Sequence, residues 1–218
     1  MLRSLQRLLE TIYDAPSGHD VRDFLVTDRR HLPAERREDA GEEELVLVEQ
    51  RHCAYLMLYI DSAVLARLRE HDPRRALDAG NIADFWTALE GVSHFSCLMW
   101  NARHTRGISL LDLELQAEVD KYITSFWLLR TQDPTHRPRE LHHTLFVRTH
   151  VNQDLPPARQ HIYARATRYA AQFCSALQSS LLSRRPAQQR AAVAALRRFY
   201  RLTSTGKLRY IEALGACG

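Results

Sequence analysis

The sequence predicts an α+β, predominantly helical protein, a helical bundle with a small antiparallel β-hairpin or three-stranded sheet near its N-terminal part. Three observations lead there. Apolar residues recur at three- and four-residue steps along most of the chain. Runs rich in β-branched and aromatic residues are confined to positions 24–60. A composition of 45% hydrophobic and 26% charged residues over 218 positions is that of a globular chain able to bury a core without metal or disulfide staples.

Leu2, Leu5, Leu8, Leu9 and Ile12, with polar residues between them, predict an opening amphipathic helix that Ala15-Pro16-Ser17-Gly18 ends. Phe24 to Val26 can form a short strand. Arg29 to Glu44 is almost all charge, broken by Pro33 and Gly41, and reads as a long surface loop open to disorder. Leu45-Val46-Leu47-Val48 and Ala54 to Ile60, separated by polar Glu49 to His52, predict an antiparallel hairpin. A lone hairpin is marginal in water, so it must pack on a helix or recruit residues 24–26 as a third strand.

The rest reads as helix. Asp61-Ser62 caps a short helix that Asp72-Pro73 stops. Asn81 caps a longer one to about Arg103, with Phe85, Trp86, Leu89 and Trp100 on one face. After Gly107, Ser109 and Asp112 have capping-box spacing, and Leu111 to Leu129 mark the next helix. These two form an αα-hairpin at the centre of the core. Leu141 to Val151 is ambiguous between strand and helix. Beyond Pro156-Pro157, Ile162, Ala166, Tyr169, Phe173, Leu177 and Leu181 predict a long helix. Pro186 starts another, with Val193, Leu196, Phe199 and Leu202 inward, and Gly206 separates it from a last short helix.

Residues 1–218 are read as one compact domain, with a candidate subdomain boundary at 133–138 where two prolines fall. Charge switches at the same place. Residues 1–133 hold 16 Lys+Arg against 23 Asp+Glu, a balance of −7, and residues 134–218 hold 14 against 3, a balance of +11. An acidic part with the sheet and helical hairpin is thus followed by a basic helical part. The opening residues lack the apolar run of a signal peptide, and no apolar stretch reaches membrane-spanning length. Cys53, Cys97, Cys174 and Cys217 show no metal-ligand spacing, and reduced thiols in the cytoplasm are expected.

Charge polarity points first to docking. Arg165, Arg168, Arg184, Arg185, Arg190, Arg197, Arg198, Arg201, Lys207 and Arg209, interleaved with aromatic residues, are expected to form a basic face. The expectation is a non-catalytic interaction or adaptor module that docks a protein partner or its own copy through that face. Nucleic-acid binding by the same arginines is the alternative. A second alternative is a metal-dependent enzyme. Glu90 and His94, four apart on one helix, face Glu114 and Glu118, four apart on the next, at a level where the αα-hairpin would bring them into contact. A structural Glu–His contact locking the helices explains the same spacing, and no metal or other cofactor is assigned.

Other motifs exclude more than they suggest. His136, His142, His143 and His150 cluster in sequence, but adjacent histidines point to different sides of a regular element. Thr203-Ser204-Thr205-Gly206-Lys207 fails the phosphate-binding loop, since Arg201 stands at the first glycine position and Leu208 at the Ser/Thr position. No nucleophile elbow is present, and no catalytic residue is assigned.

Overall fold

A computed structural model describes residues 1–38, 40–50, 53–135, 138, 140–147 and 156–215, and the side chains of all these except residues 49, 50, 53 and 54. The fold is α+β and mostly helical, with a small three-stranded sheet near the N-terminus. Helix α1 spans Leu2–Tyr13 and buries Leu2, Leu5, Leu9 and Ile12, the predicted stripe. It ends where Asp14 turns left-handed at φ 50°, a conformation that Asp tolerates better than most residues.

The sheet comprises β1 (Leu25–Val26), β2 (Glu43–Gln50) and β3 (Cys53–Ile60) in the order β1-β3-β2. Strands β2 and β3 form the expected antiparallel hairpin, with Glu43 opposite Ile60 and Leu45 opposite Leu58. The third strand also forms, but it is only two residues long and lies parallel to β3, because Phe24 closes a 3₁₀ turn over Val21–Phe24 instead. Alternation along the strands divides the sheet into two faces. Glu43, Leu45, Leu58 and Ile60 face the helices, whereas Val46 and Tyr59 face the segment before β2.

That segment differs from the loose loop expected of residues 29–44. Leu32, 1% exposed, and Ala40 pack on Val46 and Tyr59 and cover the outer sheet face. Arg29 Nε donates to the Tyr59 hydroxyl at 3.0 Å, and Arg37 Nε donates to the Leu32 carbonyl at 2.9 Å. Charge counting alone misses one leucine that supplies the anchor.

Helices α2 (Ser62–Glu70), α3 (Ile82–Arg103), α4 (Leu110–Gln132), α5 (Leu141–Phe146), α6 (Pro157–Leu182), α7 (Pro186–Arg201) and α8 (Ser204–Gly215) follow. Asp61 caps α2 through the Ala63 N–H, and Ser109 with Asp112 completes the capping box of α4. Asn81 sits at the N-terminus of α3, but its side chain instead ties down the incoming loop, accepting from the Asp78 N–H and donating to the Ala76 carbonyl. Leu141–Phe146 resolves as helix, and residues 148–151 lie outside the described residues. Gly206 lies inside α8, not before it; the break falls at Leu202-Thr203.

Helices α3 and α4 are buried through their middles on several faces at once. Helix α6 packs on α4 and buries the small residues Ala166, Ala170 and Cys174. One continuous apolar cluster runs from Leu2 to Ile211, so the acidic and basic parts share a core. Within this apolar setting, α3 and α4 nevertheless bury Ser93, His94, Asp112, Glu114, Gln116 and Asp120. Buried polar groups must be satisfied or put to use.

Candidate metal centre

Two polar clusters lie between α3 and α4. The first is the one the helical spacing predicts. Glu90 and His94 come from α3, Glu114 and Glu118 from α4, and the antiparallel hairpin brings them to one level. His94 Nε2 lies 3.7 Å from Glu114 Oε2. Two further groups complete the cluster. Glu43 reaches in from β2, with Oε1 3.5 Å from His94 Nδ1. Lys121, one turn beyond Glu118, holds Nζ 2.6 Å from Glu90 Oε2 and 2.8 Å from Glu118 Oε1.

Gly91 makes room for Glu43. A Cβ at that position would stand 2.9 Å from both Glu43 Cγ and Leu58 Cδ1, which is closer than packed carbons approach. The glycine in the middle of α3 is therefore what admits the strand and its carboxylate. Glu43 is half hidden in the Glu42-Glu43-Glu44 run; only its position at the start of β2 on the helix-facing side marks it out.

Charge in the cluster is unbalanced. Four carboxylates face one imidazole and one ammonium, a deficit of two positive charges when all are ionised. Burial alone would lower the His94 pKa, but Glu43 and Glu114 outweigh it and hold the imidazole well above its ordinary value. Burial likewise opposes the charge on Lys121, and Glu90 and Glu118 more than restore it, so the ammonium persists. Glu43 is raised by burial against the pull of His94. Glu118 is raised by burial against Lys121. For Glu90 the balance tips the other way, because Lys121 and His94 together overcome burial and lower it. Tyr163 of α6 borders the cluster, its phenol raised by burial and by Glu114 and Glu90.

The ion pairs around His94 leave polar atoms unused. Glu43 Oε1 and His94 Nε2 are buried and make no hydrogen bond, so the contacts at 3.5 and 3.7 Å are electrostatic only. Glu43, Glu90 and His94 each offer a ligand atom, and these atoms lie within 4.8 Å of one another. Three ligands about 2.1 Å from one divalent ion lie about 3.5 Å apart, so side-chain shifts of up to about 0.7 Å each would close the trio on one.

The second cluster is fully satisfied and structural. Asp120 accepts from the Tyr13 hydroxyl, from Ser93 Oγ at 2.6 Å and from Gln116 Nε2 at 2.9 Å, tying α1, α3 and α4 together. Burial, opposed by those hydrogen bonds, raises its pKa to about 6. Lys207 joins this cluster, with Nζ 3.4 Å from Gln116 Oε1. At 3% exposed it does not belong to the basic face expected of it, since α8 turns it inward over the Phe199 ring.

The arginines divide into three groups. Arg197 donates to the Ile12 and Thr11 carbonyls at 3.0 and 3.1 Å, and Arg201 donates to Tyr13 and Asp14, satisfying the open carbonyl end of α1. Arg198 covers the Tyr210 ring and Arg168 the Tyr169 ring. Arg184, Arg185, Arg190 and Arg209 are exposed and Arg165 half-buried, and among the described residues none of the five has a carboxylate partner. Arg130, Arg190 and Arg197 line a groove of about 690 Å³ with Phe126, Trp127 and Val193. His142 is fixed by the Ala171 carbonyl at 2.9 Å, and His136 and His150 lie outside the described residues. Cys97 and Cys174 are buried free thiols.

No helix among the described residues is long and apolar enough to cross a membrane. Compared with protein-family models, curated proteins and solved structures, the chain matches none.

Proposed function

We propose that the chain is a metal-dependent protein that binds a divalent ion through Glu43, Glu90 and His94, with Glu114 bordering the imidazole from its other side. The observation that carries this reading is Glu43 Oε1, a buried carboxylate oxygen with no hydrogen bond that lies 3.5 Å from His94 Nδ1, in a trio with Glu90 whose ligand atoms stand within 4.8 Å of one another. Leaving such an oxygen dry and unpaired is costly, and a divalent ion on the Nδ1 side of the imidazole would satisfy it, leave Nε2 to face Glu114, and add one net positive charge once His94 gives up its proton. Two carboxylates and one imidazole suit manganese, iron or zinc better than calcium. Three protein ligands also leave coordination positions open, the arrangement of a catalytic centre more than of a structural one. Glu90 and Glu118 retain 22% and 17% side-chain exposure, which supports access from solvent. The free thiols accord with a reducing compartment such as the cytoplasm.

The test is metal content. Protein purified without chelators should carry, or take up from Mn²⁺, Fe²⁺ or Zn²⁺ solutions, stoichiometric metal that His94→Ala and Glu43→Gln lose while keeping the far-ultraviolet circular dichroism of wild type. Wild-type protein that binds none of the three ions removes this reading.

A second reading, docking of a protein partner, a second copy or nucleic acid through the C-terminal helices, rests on a separate observation. The exposed arginines of α7 and the α6–α7 turn lack described carboxylate partners and flank a groove that carries Trp127. Unpaired guanidinium groups beside an aromatic surface favour an acidic macromolecule.

A further inference from the structure

The position of Lys121 limits how many ions the centre takes. Carboxylate-rich sites in bundle cores commonly hold two metal ions about 3.5–4 Å apart, bridged by shared carboxylates. Glu43, Glu90, Glu114 and Glu118 supply the four carboxylates such a pair would use. One half of that arrangement is already filled: the Lys121 ammonium lies 2.6 Å from Glu90 and 2.8 Å from Glu118, bridging one residue of each helix. Glu90 is shared, because it also belongs to the trio with Glu43 and His94. Glu118 has Lys121 as its only described ion-pair partner.

Resting on the metal reading above, we infer that the Lys121 ammonium occupies the second cation position of a carboxylate-bridged pair, so the centre binds a single divalent ion. Charge supports the assignment. With His94 neutral, two divalent ions balance the four carboxylates only when Lys121 is gone; with the ammonium present a second ion would leave the site with an excess positive charge. A covalently attached ammonium neither exchanges nor changes redox state. It keeps Glu90 and Glu118 neutralised during folding, before any metal arrives. The centre is thereby restricted to chemistry that one ion performs, Lewis-acid polarisation or activation of a bound water, and two-ion displacement is ruled out.

Manganese titration of the full chain, read by calorimetry and by low-temperature electron paramagnetic resonance, tests this. Wild type should take up one Mn²⁺ with the six-line spectrum of an isolated ion. Lys121→Ala and Lys121→Met, the second keeping the bulk of the side-chain stem, should take up two, with the multiline spectrum of an exchange-coupled pair. Glu118→Gln should still bind one ion with affinity within about threefold of wild type, whereas Glu90→Gln should lose at least tenfold. Two ions in wild type overturn the inference, as does a single ion in both Lys121 variants. If neither Lys121 variant folds, loss of the wild-type ion in Glu118→Gln overturns it and retention upholds it. Uptake of no ion by wild type from manganese, iron or zinc solutions removes the metal reading itself, and this inference with it.

Discussion

Gly91 stands in the interior of α3, where alanine is ordinarily the better helix former by about 1 kcal/mol. Here the usual sign reverses, because the added methyl collides with Glu43 and Leu58. Gly91→Ala should destabilise the fold by about 1–3 kcal/mol in urea unfolding, the range of overpacked cores, and weaken metal uptake by pushing Glu43 away. An alanine variant as stable as wild type would show that β2 does not seat against α3 as described. Asp120 carries a second prediction. Its folded pKa is raised to about 6 from an ordinary 3.8. The folded state thus holds the proton more tightly than the unfolded state between those values, and the stabilisation, present at pH 4, is lost as pH rises through 6. From pH 4 to 7, wild type should lose on the order of 3 kcal/mol relative to Asp120→Asn. Parallel stability curves for the two proteins would refute this.

At the scale of elements, α1 is held at its C-terminal end by side chains from α7, nearly the whole chain away in sequence. Arg197 and Arg201 together donate to the carbonyls of Thr11, Ile12, Tyr13 and Asp14, where helix geometry leaves acceptors open and the helix dipole favours positive charge. Tyr13 then stacks on Tyr200 with ring centres 4.4 Å apart and donates to Asp120. Arg197→Ala and Arg201→Ala should each cost about 1–2 kcal/mol in thermal or urea unfolding. Both should leave metal stoichiometry unchanged, since neither touches the centre. Loss of metal without loss of stability would contradict the separation of the two clusters.

At the scale of the whole molecule, the acidic and basic parts share one core, yet the charge of the basic part is only partly answered from within. Of the ten residues expected to form its face, Lys207 is buried and Arg197 and Arg201 serve α1, while Arg184, Arg185, Arg190 and Arg209 face solvent. The docking reading is thereby confined to the arginines of the α6–α7 turn and the start of α7. Binding to polyglutamate should fall with added salt, and Arg184→Ala, Arg185→Ala and Arg190→Ala combined should weaken it at least tenfold, with a shallower salt dependence. Preference for single-stranded DNA over polyglutamate would point to nucleic acid, and binding unaffected by salt would sink the docking reading.

Helical spacing is enough to place Glu90, His94, Glu114 and Glu118 at one level, because a repeat of 3.6 residues and a short turn between two helices determine who faces whom. It also places the capping box at Ser109 and the hairpin at residues 43–60, since capping and strand alternation are local. Glu43 joins the site only through long-range packing of β2 on α3, which the space at Gly91 permits. Whether Lys121 meets solvent or two carboxylates, and whether Lys207 points out or in, depend on the angle at which α4 and α8 pack. A side chain's neighbours along its own helix are written in the order of residues; its neighbours across the core are settled only when apolar faces from distant segments compete to be buried together.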